Sequence, residues 1–125
     1  MLANTDAIAT CAVRDLAAAR KFYEGTLGLA PLPTEEEGAL AYRSGQASIL
    51  VYESQYAGTN KATAVTFAVK DLESEVQALK AKGVRFEHYD DLPGTTRKGD
   101  VHVSGKTKVA WFKDPDGNIL SLVSG

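Results

Sequence analysis

The chain has one cysteine, one tryptophan and two histidines among 125 residues, and no long uninterrupted apolar run. A single cysteine, Cys11, excludes an intrachain disulfide and fits a reducing compartment, so a cytoplasmic location is expected. No stretch is apolar for long enough to cross a bilayer. The opening Met-Leu-Ala-Asn-Thr-Asp carries no basic segment, and no signal peptide is read there. Charge of one sign is also missing: 14 basic against 16 acidic residues give a net charge of −2. Nucleic acid and anionic membranes demand a clustered basic face. The nearest candidate, Arg97-Lys98 with Lys106 and Lys108, is too sparse, so neither partner is expected. A chain of this length suits one domain, which buries roughly 65–70% of its unfolded surface and needs no disulfide to do so.

What is present is a repeat. Ala12-Val13-Arg14-Asp15-Leu16 returns about half a chain later as Ala68-Val69-Lys70-Asp71-Leu72. Each copy ends an apolar run and opens a helical pattern. Such symmetry implies two copies of one small module, about 1–58 and 59–125, within a single domain 1–125. Neither module is large enough to bury a core alone, so the two must pack on each other or on a second chain.

Residues 8–13 read as a buried strand, and Asp15 as the N-cap of a helix striped by Leu16, Ala19, Tyr23 and Leu27, with Phe22 widening the stripe and Gly28 ending it. Pro31 and Pro33 predict a loop, and residues 39–44 and 47–53 a hairpin across Ser44-Gly45-Gln46. The small polar stretch 54–62 predicts a linker. In the second half, residues 64–69 alternate as a strand, and Asp71 caps a helix striped by Leu72, Val76 and Leu79 that ends at Gly83. Residues 84–89 predict a strand, 90–105 a mobile loop with a short strand near Val101–Val103, and 107–113 and 118–123 a closing hairpin across Asp114-Pro115-Asp116-Gly117.

Val13-x-Asp15-Leu16-x-x-Ala19-x-x-Phe22-Tyr23-x-x-x-Leu27-Gly28-Leu29 resembles the opening of the vicinal oxygen chelate superfamily of glyoxalases, fosfomycin-resistance enzymes, extradiol dioxygenases and bleomycin-resistance proteins. Trp111-Phe112-Lys113-Asp114-Pro115-Asp116-Gly117-Asn118-Ile119-Leu120 resembles its closing hairpin. The resemblance implies an α+β fold of two βαβββ modules forming a cupped mixed sheet, and a homodimer. It also implies a divalent metal held by His, Glu or Gln in the cup. Counted from the two motifs, the ligand positions fall on Ile8, Ala64, Ser121 and, near the middle of strand 47–52, Leu50. Three of these lack a donor atom and Ser121 offers only a neutral hydroxyl, so no metal and no cofactor is expected there. A one-residue shift reaches Ala9, Thr63 or Val65, and Leu120 or Leu122, and does not restore a site. His102, His88 and Glu53 form the only other conceivable set.

With position 8 in the cup, strand alternation adds Thr10 and Ala12, then Ser48, Leu50 and Tyr52, then Ala64, Thr66 and Ala68, then Ile119, Ser121 and Val123. Cys11 points to the helices as an inert core residue. Trp111 occupies a position where fosfomycin-type relatives place a ligand-contacting aromatic. The expected ligand-binding set is therefore Trp111, Tyr52, Thr10, Thr66, Ser121, Ser48, Leu50 and His102, around a planar, partly aromatic small molecule. No catalytic residue is forced by this list, and Glu53 is the one nearby acid. The reading that follows is a metal-free binder of the bleomycin-resistance kind that sequesters its ligand and leans away from catalysis. The competing reading is an enzyme of the same superfamily, working without metal or with a non-standard metal site. A third is a degenerate member serving as a regulatory or subunit binding module.

Overall fold

The computed structural model describes all residues 1–125. The first half contributes strands β1 (Ala9–Val13), β2 (Ala30–Leu32), β3 (Ala39–Ser44) and β4 (Ala47–Glu53), in the order β1-β4-β3-β2. β1 runs parallel to β4, and the other neighbours are antiparallel. The second half contributes β5 (Thr63–Ala68), β6 (Phe86–Glu87), β7 (Thr96–Lys98), β8 (Val101–Ser104), β9 (Thr107–Lys113) and β10 (Ile119–Ser124), in the order β5-β10-β9-β8-β7. Here β5 is parallel to β10, as β1 is to β4. β6 pairs with Trp111 and Phe112 of β9, while β8 pairs with Thr107–Val109 further along the same strand. Each half is thus a βαβββ unit, and the β7–β8 hairpin is an addition to the second. β1 and β5 lie beside each other at the seam.

Both helices begin where a carboxylate replaces missing backbone partners. Asp15 accepts from the amides of Ala17 (2.9 Å) and Ala18 (3.3 Å) at the start of α1 (Leu16–Arg20). Asp71 accepts from Ser74 N at 3.1 Å at the start of α2 (Leu72–Ala81). α1 is shorter than its apolar stripe predicts, because the chain widens into a π-helical stretch over Lys21–Thr26. Phe22 and Tyr23 then reach two different elements. Phe22 lies 6.4 Å from Phe112 of β9, and Tyr23 stacks 6.0 Å from Tyr42 of β3. Leu72, Val76 and Leu79 of α2 are buried. One core joins the halves, with Cys11, Val13, Ile49 and Val51 from the first and Val65, Ala110, Phe112, Leu120 and Leu122 from the second.

Polar contacts tie the same seam. The buried Asp114 carboxylate accepts from Tyr23 Oη (2.8 Å), Asn118 Nδ2 (2.8 Å), Asn118 N (2.8 Å) and Asp116 N (3.0 Å). Asn118 Nδ2 also donates to the Ala12 carbonyl at 2.7 Å. Gly58, at φ +73°, lies against the Asp116 carbonyl, and a Cβ there would collide with it.

Three expectations are corrected. Pro31 lies in a strand, β2, rather than a loop, which it can do because β2 is the sheet edge and needs no donor on its outer side. The strand expected over 84–89 shortens to Phe86–Glu87. The loop 90–105 holds two strands, β7 and β8, paired as a hairpin across Gly99-Asp100, and Arg97 forms hydrogen bonds to both Asp90 oxygens at 2.6 and 3.1 Å.

Candidate functional site

Residues whose neighbours enter the core must themselves face away from it. Ala110 and Phe112 are buried, so Val109, Trp111 and Lys113 lie on the face opposite the helices. Directly paired residues share a face, which allows that surface to be traced strand by strand. One row runs Glu87–Trp111–Ser121–Thr66 across β6, β9, β10 and β5. The next runs His102–Val109–Val123–Ala68, and a third Lys113–Ile119–Thr63. In the first half, Thr10–Leu50–Ala41 and Ala12–Tyr52–Ala39 form rows, with Ser48 beside Arg43. Thr10, Tyr52 and Thr66 are exposed, Leu50 and Ser48 half-buried, and Ser121 and His102 buried.

Trp111 is held from its own half of the chain. His102 lies 4.8 Å and Tyr89 5.2 Å from it, both edge-on, in ring-centroid distance. Tyr52 makes no ring contact with this cluster. The indole N–H donates to Thr63 Oγ1 at 3.1 Å, and Ser121 Oγ lies 2.9 Å from Thr66 Oγ1. His102 Nε2 accepts from the Tyr89 amide at 2.9 Å, so the neutral ring carries its proton on Nδ1, which has no hydrogen-bond partner. Burial pushes the His102 pKa down. The Val109 backbone opposes this, Arg97 and His88 add to it, and Asp90 opposes it. Burial and the Glu87 carboxylate raise the Tyr89 hydroxyl, with Lys113 acting against them. Glu87 in turn meets Lys113 at 3.5 Å.

Ala64 does not take the place expected of it. A bulge in β5 pairs Thr63 with Ile119 but Val65 with Leu120, so Thr63 stands on the open face and Ala64 is the extra residue. Three residues escaped the sequence reading: Thr63, Glu87 and Tyr89. The alternation Phe86-Glu87 carried a signal for Glu87, since a buried Phe86 puts its neighbour on the other face. The bulge carries none.

The donor set does not fit a divalent metal. Ile8 is 55% exposed and, like Leu50 and Ala64, has no ligand atom. The alternative set is scattered: His88 pairs with Asp100 at 2.8 Å, and His102 is committed to Tyr89. No three His, Cys, Asp or Glu residues come together to hold an ion. Cys11 is 2% exposed, with its thiol pKa raised by burial. No helix is long and apolar enough to cross a membrane.

The sequence profile of the Glyoxalase/Bleomycin resistance protein/Dioxygenase superfamily matches residues 7–122. The chain belongs to that superfamily. No curated protein sequence matches it. Solved structures resemble it over nearly their whole length. A lactoylglutathione lyase from Agrobacterium tumefaciens has a TM-score of 0.71 at 16% identity, covering 98% of this chain and 94% of that one. The fosfomycin resistance protein FosX from Listeria monocytogenes has a TM-score of 0.71 at 16% identity, covering 98% and 93%. A glyoxalase family protein from Enterococcus faecalis has a TM-score of 0.70 at 20% identity, covering 98% and 99%. These likenesses establish the fold. They also correct the lean away from catalysis: a lactoylglutathione lyase is built on this same architecture, so the fold gives no ground for that lean.

Proposed function

We propose that this superfamily member is an enzyme that binds a small, partly planar molecule on the open sheet face against Trp111 and acts on it with its own side chains. The observation that supports this most is the row Glu87–Trp111–Ser121–Thr66, which sets a carboxylate, a flat aromatic surface and hydroxyls side by side on one face. Trp111 and Tyr89 supply stacking surface, Thr66 and Ser121 hydrogen bonds, and Glu87 transfers a proton to or from the bound molecule. Tyr52, Leu50, Thr10 and Ser48 form the facing wall, contributed by the first half or by a second copy of the chain in a homodimer. His102 holds Tyr89 in place through its amide. No step passes through a metal, because the positions counted from the family motifs hold Ile8, Leu50 and Ser121, with Thr63 standing where Ala64 is expected, and none of these is a carboxylate, imidazole or thiolate.

The test starts from the single indole N–H. Its NMR resonance is followed against bleomycin, fosfomycin, S-lactoylglutathione and a set of uncharged aromatic carbonyl compounds. Compounds that shift it are then incubated with protein and analysed for conversion. The expected result is at least one compound that moves the Trp111 resonance and is consumed, with Glu87→Gln lowering kcat by roughly a hundredfold or more while binding persists. Binders that leave the resonance in place, or turnover indifferent to Glu87→Gln, would overturn the reading.

A further inference from the structure

We infer that the open face selects uncharged ligands with two acceptor oxygens on a flat apolar body, read by the hydroxyls of Thr63 and Thr66. The inference rests on the proposed site at Trp111 and gives it a substrate class.

Strand alternation alone would put Thr63 and Thr66 on opposite faces, since they are three positions apart. The bulge at Ala64 brings both to the face that carries Trp111. Each hydroxyl already accepts one hydrogen bond within the chain and directs its proton to no partner. An indole N–H can only donate, so Thr63 Oγ1 is the acceptor in the 3.1 Å contact with Trp111 and keeps its own proton free. Ser121 is 2% exposed and its hydroxyl has Thr66 as its sole side-chain partner, at 2.9 Å. A buried donor must be satisfied, so Ser121 donates and Thr66 keeps its proton free as well. Neither threonine makes another side-chain hydrogen bond, and both are exposed. The face therefore presents two O–H groups free to donate.

Charge on the same rows is neutralised within the chain. In the rows of the second half, Lys113 and Glu87 meet at 3.5 Å, and Arg97, beside His102, is held by Asp90. Both cations of those rows are thus paired within the chain, and none stands free beside the threonines to attract a carboxylate or phosphonate. Carbonyl oxygens of an imide, lactone or quinone-like ring match two neutral donors beside an indole.

Three probes of similar size test this: N-methylphthalimide, which is flat and uncharged with two carbonyl acceptors; indene, which has the same bicyclic shape and no acceptor; and phthalate, which has the acceptors and a double negative charge. Binding is read from the Trp111 Nε1–H resonance. N-methylphthalimide is expected to bind most tightly. Thr63→Val, and separately Thr66→Val combined with Ser121→Ala so that no buried hydroxyl is orphaned, should each weaken it about fivefold, the fold-change of one neutral hydrogen bond. Indene binding should be the same in all three proteins, which also shows that the variants are folded. Equal affinity for indene and N-methylphthalimide, unchanged affinity in the valine variants, or tighter binding of phthalate would overturn the inference while leaving the site at Trp111 standing. If no probe moves the Trp111 resonance, the site reading falls and the inference with it.

Discussion

The Tyr23 hydroxyl donates to the Asp114 carboxylate at 2.8 Å, joining the first helix to the closing hairpin 91 positions away. Tyr23 is wholly buried and Asp114 nearly so. A hydrogen bond to a charged acceptor in that setting contributes about 1.5–3 kcal/mol. Tyr23→Phe keeps the ring packed on Tyr42 and removes only the hydroxyl. Denaturant melts should show a loss of that size, with a single transition because one core spans both halves.

The two caps are equivalent by the repeat and should respond alike. Asp15→Ala and Asp71→Ala are each expected to cost on the order of 1 kcal/mol in the same melts. Loss at one position and none at the other would break the equivalence of the two helix starts.

His102 makes stability depend on pH in a stated direction. Its folded pKa lies below the ordinary value of 6.5, so in acid the unfolded chain takes up the proton first. Its contribution is complete above the unfolded value and is lost as pH falls from there through the folded value. A protonated ring also cannot accept from the Tyr89 amide. Melting temperatures measured from pH 7.5 down to 5 should fall in that window, and His102→Gln should flatten the slope.

Assembly is a further expected outcome. Ile8 at 55% and Tyr52 at 40% exposure leave apolar surface on the first-half face. The proposed homodimer would cover it with an interface above about 1,000 Å2. Light scattering at micromolar concentration should give twice the chain mass, and Tyr52→Asp should shift it toward the monomer. A stable wild-type monomer would leave Trp111 facing solvent in each chain and remove the shared cleft.

Local signals were readable and non-local ones were not. The Asp15 and Asp71 caps, the Leu72-Val76-Leu79 stripe and the two hairpins each depend on residues within a turn or two, so pattern suffices. β7 was missed for another reason: Thr96-Arg97-Lys98 carries no apolar alternation, and only the Gly99-Asp100 turn signals its hairpin with β8, while Arg97 reaches Asp90. The π-helical widening after Arg20 answers to packing, since it lets Phe22 and Tyr23 reach Phe112 and Tyr42 together. At the candidate site, alternation put Ser121 and Thr66 on one face and the family resemblance put Trp111 there, and the three form one row in the structure. Glu87 was legible in the Phe86-Glu87 alternation but overlooked, whereas Tyr89 is placed by a contact with His102 thirteen positions away and Thr63 by a bulge, which is a property of two strands.

The central claim is that Trp111 receives the ligand, and its own substitution tests that most directly. With the tightest compound from the panel, titration calorimetry of wild type and Trp111→Ala should differ by at least about tenfold in Kd, a factor that needs only about 1.4 kcal/mol and lies within what aromatic stacking plus lost buried area supplies. The wild-type tryptophan emission should move with the same midpoint. Equal affinity in the two proteins, with emission unmoved in the wild type, would contradict the account.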